Sequence, residues 1–579
     1  MRQTADAPGD DGTRQTSRAL TTSDVERTGV RFQDWTPWKN AAYLDQNGPA
    51  PMNAEDSAPK PDIAAVDRRR FMFGAAGMFM AERAFAAGEA AAPAPASGSS
   101  FFDGVIATAK ARAEKPYEAR KLSLPEPFDN LSYDAYRGIR VRPERRVWAG
   151  ENRGFVLDLL PPGFHFDDAV AIEFVRDGVA TPAAFDISDF EFAPDQFDLS
   201  GGAPTLPDKA EITYSGFRVR FPINRPDVLD EFMVFQGASY FRAVARNQLY
   251  GLSARGLAIG TGSQQGEEFP VFEQFWIHVP DEDATSLLVE ALLDSPSVSG
   301  AYQFTIRPGA ETVMEVRSVL FARTDLRDVG IAPMTSMFFF GPRSRAGIDD
   351  FREAAHDSSG LQIITGRGER IWRPLANPAA LQFATFVDAG PKGFGLVQRQ
   401  RRFEDFQDAE ARYEKRPSGW VVPTGDWGPG GVVLVEIPSP NEFNDNIVAF
   451  WRPRDRLDAG GPYEFGYRLF WSDYPPDDAP LARVIATRGG VAVNETSRRV
   501  FVVDYAMRDL SIDGLTPDLT ATSGEITHVA TRALPVEGTA RVSIEFAPEQ
   551  GRIAEFRLVL NDSEGKPASE TWIFRWSPS

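Results

Sequence analysis

Two carboxylates, Glu442 and Asp445, stand among three asparagines at the mouth of an apolar run in NEFNDNIVAFWRP (residues 441–453). An acid at a loop-to-strand junction has an ordinary role, because Asp and Asn cap turns by accepting hydrogen bonds from nearby backbone amides. The neighbourhood suggests more. Trp420, Trp427 and Trp451 are close in sequence, and Trp372 lies in ERIWRP. Aromatic faces beside carboxylates suit a sugar cleft, since the C–H faces of pyranoses stack on rings. Inverting hydrolysis of a glycoside needs a second acid: one carboxyl protonates the leaving oxygen and the other activates water. Asp357, beside His356 in REAAHDSSGLQI (352–363), is a candidate in a polar loop whose small neighbours leave room for a ligand. An Asp–Ser turn is the competing reading. Glu267 and Glu268 in GEEF (266–269) are another option, but adjacent strand residues point to opposite faces, which favours one buried partner and one solvated charge. Asp294, at a strand end before Pro296, reads as a turn cap.

Composition narrows the chemistry. The 579 residues carry a formal charge of -20, which repels phosphate backbones and anionic membrane surfaces and favours a neutral ligand; no nucleic acid is expected as a partner. The absence of Cys excludes disulfides, thiolate zinc sites and a cysteine nucleophile. The four histidines, His165, His278, His356 and His528, include no pair spaced as a metal clip, so neither a metal nor a cofactor is expected.

The elements that must position these acids read as strands. AVAIEFVR (169–176), FRVRFPI (217–223), SYFRAVA (239–245), AYQFTIRPG (301–309) and TVMEVRSVLFAR (312–323) alternate apolar and polar residues, and Pro308-Gly309 marks a hairpin between the last two. Helices are short: Phe101 to Ala113, and FEDFQDAEARYEKRP (403–417), where Phe403, Phe406 and Tyr413 fall near one face. The expected fold class is therefore all-β, a large antiparallel sandwich over 101–474 with helical decorations. SDYPPDDAP (472–480) punctuates the chain, and residues 480–579 read as a second all-β module of immunoglobulin size. Ahead of both, DRRRFMFGAAGMFMAERAFAA (67–87) combines consecutive arginines, a short apolar run and the small-x-small site Ala84-Phe85-Ala86. Residues 67–86 thus read as a twin-arginine signal, with 1–66 an extension or misassigned start and 87–100 a flexible leader. The run is too short for a permanent membrane span, so an integral membrane protein is not expected.

Long ordered motifs carry a family resemblance: GASYFRAV, YGLSARGLAI, GEEFPVFEQFWI, HDSSGL, ERIWRPLANP, RYEKRPSGWVVPTGDWG and VEIPSPNEFNDNIVAFW. From about residue 101 to the C-terminus the chain is similar to the periplasmic glucan biosynthesis proteins of the OpgG/OpgD (MdoG/MdoD) type, with the leader pointing to the D-type. The resemblance implies a galactose-mutarotase-like β-sandwich joined to an immunoglobulin-like domain. It also implies a periplasmic location, a β-1,2-linked glucan as ligand, and endo-acting, anomer-inverting hydrolysis of the backbone of osmoregulated glucans. Carried onto this chain, Asp445 is the general acid and Asp357 the general base, with Glu442 and Tyr413 lining the same site. The implied proton path is indirect, through a sugar hydroxyl on the acid side and ordered water on the base side. Phe443 stands where the family pattern has Thr, which removes a polar contact there. Trp372, Trp420, Trp427 and Trp451 remain candidates for sugar subsites. Three alternatives stay open: transglycosylation on the same carboxylates, a non-catalytic glucan-binding scaffold for the membrane glucan synthase, and a homodimer.

Overall fold

The computed structural model describes residues 100–578 apart from Lys209, Ala346 and Asn494. The extension, the twin-arginine pattern and the leader up to residue 99 lie outside the described residues.

Alternation in sequence becomes alternation in burial. In the strand Thr312–Ala322, Met314 and Val316 are buried while Glu315 and Arg317 are exposed, and the strand pairs with Val298–Arg307 in the antiparallel hairpin that Pro308-Gly309 indicates. Two large sheets result. One has ten strands and runs through Val156–Leu160, Gly216–Phe221, Asp230–Gln236, Tyr240–Ala243, Ser253–Arg255, Val329–Ser336 and Ile447–Pro453, in that spatial order. The other has fourteen strands and contains the hairpin. The two sheets meet over a phenylalanine-rich core: Phe217 packs on Phe275 with ring centroids 5.1 Å apart, Phe235 on Phe304 at 5.2 Å and Phe241 on Phe304 at 5.4 Å. Each buried ring contributes about 1.5–3 kcal/mol. That packing settles the other face of the ten-stranded sheet. Arg218, next to Phe217, and Arg242, next to Phe241, project away from the core because successive strand residues point to opposite sides.

The helix Phe101–Ala113 forms as the sequence indicates. Ser100 and Asp103 make a reciprocal capping box, and Phe102, Val105 and Ala109 pack on the outer side of the fourteen-stranded sheet beside Trp276, Leu292 and Val319. The segment 403–417 is not a continuous helix. It holds two single 3-10 turns, Phe403–Asp405 and Tyr413–Lys415. Between them Asp408 accepts hydrogen bonds from the backbone amides of Glu410 and Ala411, at 3.0 and 2.7 Å, and Gln407 and Arg412 take positive φ. The side-chain turn thus outcompetes the helical hydrogen bonds.

After Pro475 the chain builds a sheet of four strands, Arg483–Val491, Arg499–Ala506, Thr539–Ala547 and Glu525–Ala533. It also builds a layer of three, Thr516–Ala521, Ala554–Asn561 and Thr571–Trp576, and the two layers enclose Phe501, Val503, Val542, Phe546, Phe556 and Trp572. The three-stranded layer is continuous with the fourteen-stranded sheet, because Thr571–Trp576 pairs in parallel with Arg370–Pro374. The junction is held as well. Arg370 grips Asp477 of the proline-aspartate segment through Nε and Nη2, each at 2.9 Å.

Candidate functional site

Asp445 sits one residue before the buried Asn446, at the start of the strand Ile447–Pro453. Asn446 pins this junction: its Oδ1 accepts from the Phe338 amide at 2.8 Å, and its Nδ2 donates to the carbonyls of Phe338 and Ile437, both at 3.0 Å. The asparagine thus locks the loop, and Asp445 is aimed onto the outer face of the ten-stranded sheet. There its Oδ2 lies 3.7 Å from Nη2 of Arg242, and both side chains are almost fully buried. Arg242 is held in turn by donating from Nε to Ser253 Oγ at 2.5 Å.

Asp357 arrives from a different element. It follows the short strand Ala355–His356, which pairs with Phe338–Phe340, and its amide donates to the Met337 carbonyl at 2.9 Å. Its carboxylate, inaccessible to solvent, is paired with Arg416. The Arg416 guanidinium lies over the Tyr413 ring, 4.3 Å from its centroid, and Tyr413 itself is buried among Met337, Phe340, Ala355 and Phe406. Arg416 also needs Gly251: a Cβ there would fall 2.8 Å from Arg416 Cβ.

These two ion pairs form one cluster. Burial holds the Arg242 guanidinium below its usual range; Asp445 and then Asp357 oppose that shift, and Arg416 reinforces it. Arg242 therefore feels both carboxylates and the Arg416 charge in a poorly solvated space. Tyr240 and Arg255 also feel the Asp445 charge, which extends the polar face towards Glu267, whose carboxylate Arg255 holds at 2.6 Å. Next to Asp357, His356 stacks on Phe338, and burial lowers its pKa to about 4, so the ring is neutral at pH 7.

The other candidates separate. Glu442 serves as an anchor: Arg352 binds it together with Asp350 and Asp408, tying the 441–445 loop to two others. The hydrogen bond to Asp350, with those to Glu442 and Asp408, raises the Arg352 pKa and keeps it charged. Glu267 and Glu268 both have protein partners, Arg255 and Thr261 for the first and Ser297 for the second. Asp294 caps Ser295, as the turn reading expects, and also pairs with Arg323 at 2.7 Å in the fourteen-stranded sheet.

The expectation that tryptophans present open stacking faces is corrected. Trp420 and Trp451 are 1% and 0% exposed, and Trp372 and Trp427 are also buried. Trp427 packs with Trp451, Phe465 and Tyr467, and Trp372 joins the cluster under the C-terminal strands, its ring filling the space a Cβ at Gly360 would need. Trp372, Trp420 and Trp451 are core because both faces of their strands are covered, and Trp427, in the loop after Thr424, is packed beneath Phe465 and Tyr467. The exposed aromatic faces near the acids are those of Phe351, at 77%, and Phe443, at 54%, on the loops that Arg352 ties together. Composition gave no signal for Arg242, which reads as the solvent-facing half of an alternating pattern, or for Arg416, which lies in the segment read as a helix. Among the described residues no group of three or more His, Asp or Glu side chains could hold a metal ion.

Fold and site together define an all-β sandwich with buried carboxylates matched by arginines. Residues 101–576 match the family described as periplasmic glucan biosynthesis protein, MdoG, and the chain belongs to that family. A glucans biosynthesis protein G of Vibrio cholerae is 46% identical over 489 residues, covering 83% of this chain and 87% of that protein. One from Rhodopseudomonas palustris is 44% identical over 517 residues, covering 88% of this chain and all of that protein, and one from Bradyrhizobium diazoefficiens is 45% identical over 476 residues, covering 81% and 92%. These relatives carry the G designation; the arginine motif that points to the D-type lies outside the described residues. No described helix is long and apolar enough to cross a membrane.

Proposed function

We propose that this protein is an anomer-inverting endo-β-1,2-glucanase that processes the backbone of osmoregulated periplasmic glucans, after export by the twin-arginine route that the Arg68–Arg70 motif suggests. The observation that carries the reading is that both acids are anchored on one backbone stretch, Asp357 by its amide to the Met337 carbonyl and Asp445 through the adjacent Asn446 to Phe338. Two acids from separate loops converge on one arginine-held cluster. In the proposed step the proton of Asp445 reaches the leaving glycosidic oxygen through a sugar hydroxyl, water attacks the anomeric carbon from the opposite face, and the proton of that water passes through ordered water to Asp357. Complete burial of Asp357 supports a relay on the base side, because a carboxylate without solvent access reaches the attacking water only through intervening hydrogen-bonding groups. Arg416 and Tyr413 position this base, and Glu442 positions the loop of the acid. Phe351 and Phe443 are proposed as the sugar-stacking faces in place of the tryptophans.

The test is to incubate the purified protein with linear β-1,2-glucan and follow chain length and anomeric configuration. Shorter chains released with inverted configuration support the reading. Cyclic or branched products identify a transglycosylase, and unchanged polymer with measurable binding identifies a scaffold for the synthase; either result overturns it.

A further inference from the structure

A small hollow lies where the large sandwich meets the edge strand Arg483–Val491 of the C-terminal sheet. It measures about 60 Å³, and both parts of the chain wall it: Phe338, His356 and Trp372 on one side, Ile485, Ala486 and Thr487 on the other. The first wall belongs to the stretch that anchors the two acids. The Phe338 and His356 rings stack 5.1 Å apart, while the Phe338 backbone holds Asn446 and His356 precedes Asp357.

The polar groups in the hollow are mainly donors whose protons are not taken up. Gln398 Nε2 donates to the His356 carbonyl at 3.0 Å and lies 3.2 Å from Nδ1 of the His356 ring, so that nitrogen accepts and the proton sits on Nε2. Nε2 has no hydrogen-bond partner among the described residues, and its edge of the ring faces Gly341, where an added Cβ would stand 3.8 Å away. Thr487 Oγ1 accepts from Trp572 Nε1 at 3.0 Å, which leaves its own proton to donate. Gln400 Oε1 is buried without a partner, and an amide that makes no bond can equally present its NH2 end.

Arg343 supplies the charge. Its Nη2 donates to the Leu375 carbonyl and its guanidinium lies 4.9 Å from the Phe574 ring centroid, but Nε and Nη1 have no hydrogen-bond partner, and no carboxylate forms an ion pair with it, among the described residues. Burial, and then the neighbouring Arg373, lower its pKa to about 10, so it stays charged at pH 7. Glu436 opposes that shift but is itself taken by Arg373 at 3.0 Å. A poorly solvated cation ordinarily has an anionic partner, yet no Asp or Glu lines the hollow.

We propose that this hollow binds a small monocarboxylate, gripped by Arg343 with His356 Nε2 and Thr487 Oγ1 as further donors. One negative charge matches one guanidinium, and the two carboxylate oxygens match its fork. The rest of the lining, including Phe338, Pro374, Leu375 and Ile485, is apolar and suits the alkyl end of such a molecule, whereas the further oxygens of a phosphate would be stranded against it. The site does not depend on the glucan reading.

The experiment titrates acetate and propionate against chloride at pH 7 and equal ionic strength, following the ring 15N signals of protein labelled at its four histidines, with His356→Gln identifying the His356 signal. A saturable shift confined to that signal is expected in the parent, with propionate at least as tight as acetate. Arg343→Gln is expected to weaken binding about tenfold or more. Ala486→Leu, which keeps the Cβ at a half-buried position and fills the hollow, is expected to abolish it. No saturable shift in the parent, undiminished affinity in either folded variant, or inorganic phosphate bound as tightly as propionate would each overturn the inference.

Discussion

Two of the buried arginine–carboxylate pairs in this molecule are built differently. At the junction with the C-terminal strands, Arg399 and Glu570 meet through two hydrogen bonds of 2.7 and 2.8 Å. Glu570 also accepts from the Val484 amide at 3.0 Å, and Arg399 donates to Gln362 at 3.1 Å and lies 3.5 Å above the Trp372 ring centroid. That pair is saturated. On the outer face of the ten-stranded sheet, Arg242 and Asp445 are as deeply buried but stand 3.7 Å apart, too far for a direct charge-assisted hydrogen bond, and share their field with Asp357 and Arg416. Burial of charge alone does not distinguish a structural pair from a working one. What differs is position: Glu570 is locked between strands at the junction, whereas Asp445 ends a loop beside the exposed Phe443.

The largest effect that would break the comparison is on turnover. Asp445→Asn keeps the shape and removes the transferable proton, so it is expected to lower kcat on linear β-1,2-glucan by about 10²–10⁴-fold, with glucan binding and the unfolding midpoint near those of the parent. A variant that loses stability but keeps its rate would make Asp445 another structural charge. The reciprocal change is Glu570→Gln. It leaves Arg399 buried without its counter-charge and is expected to cost about 3–5 kcal/mol in denaturant unfolding while sparing kcat where the variant remains folded. Loss of activity in the folded variant would show that the junction reaches the site.

A third, intermediate effect is read by pH. His356, adjacent to Asp357, has its pKa lowered by burial from 6.5 to about 4, so between these values the unfolded chain binds a proton that the folded chain does not. Its contribution to stability is therefore complete above pH 6.5 and is lost as the pH falls towards 4, a change of about 3 kcal/mol. His356→Asn is expected to flatten unfolding free energy against pH in that window; an unchanged slope would assign the acid sensitivity elsewhere. The smallest effect belongs to the exposed Phe443. Phe443→Thr, the residue the family resemblance implies at this position, is expected to weaken glucan binding by about two- to fivefold by loss of the proposed stacking face. A gain in affinity would show instead that the missing hydroxyl contact mattered more.

Part of the proposed site was legible because turn chemistry is local. Asp445 and Asp357 stood out by standing in loops between strands, and the role expected for the asparagines is the one Asn446 performs, bonding Phe338 and Ile437. The partners were not legible. Arg242 in SYFRAVA has the spacing of a solvated residue, and only the loops packed over that face turn it into a buried charge. The tryptophans misled for the complementary reason: alternation assigns residues to two faces but does not say whether one or both are covered. In 403–417, apolar spacing matched a helix while Asp408, by bonding the amides of Glu410 and Ala411, encoded a turn.

What the amino-acid order determines by itself is the all-β class, the 298–322 hairpin, the capped 101–113 helix and the absence of thiol chemistry. These follow from period-two alternation, turn residues and caps, whose causes act within a few positions of one another. What only the tertiary structure decided is that Asp445 meets Arg242 and Asp357 meets Arg416. The strands Ser253–Arg255, Val329–Ser336 and Ile447–Pro453 are neighbours in space although long segments separate them in the chain. That order is set by burying Phe217, Phe235 and Phe241 against the second sheet, a cooperative gain that no local window contains.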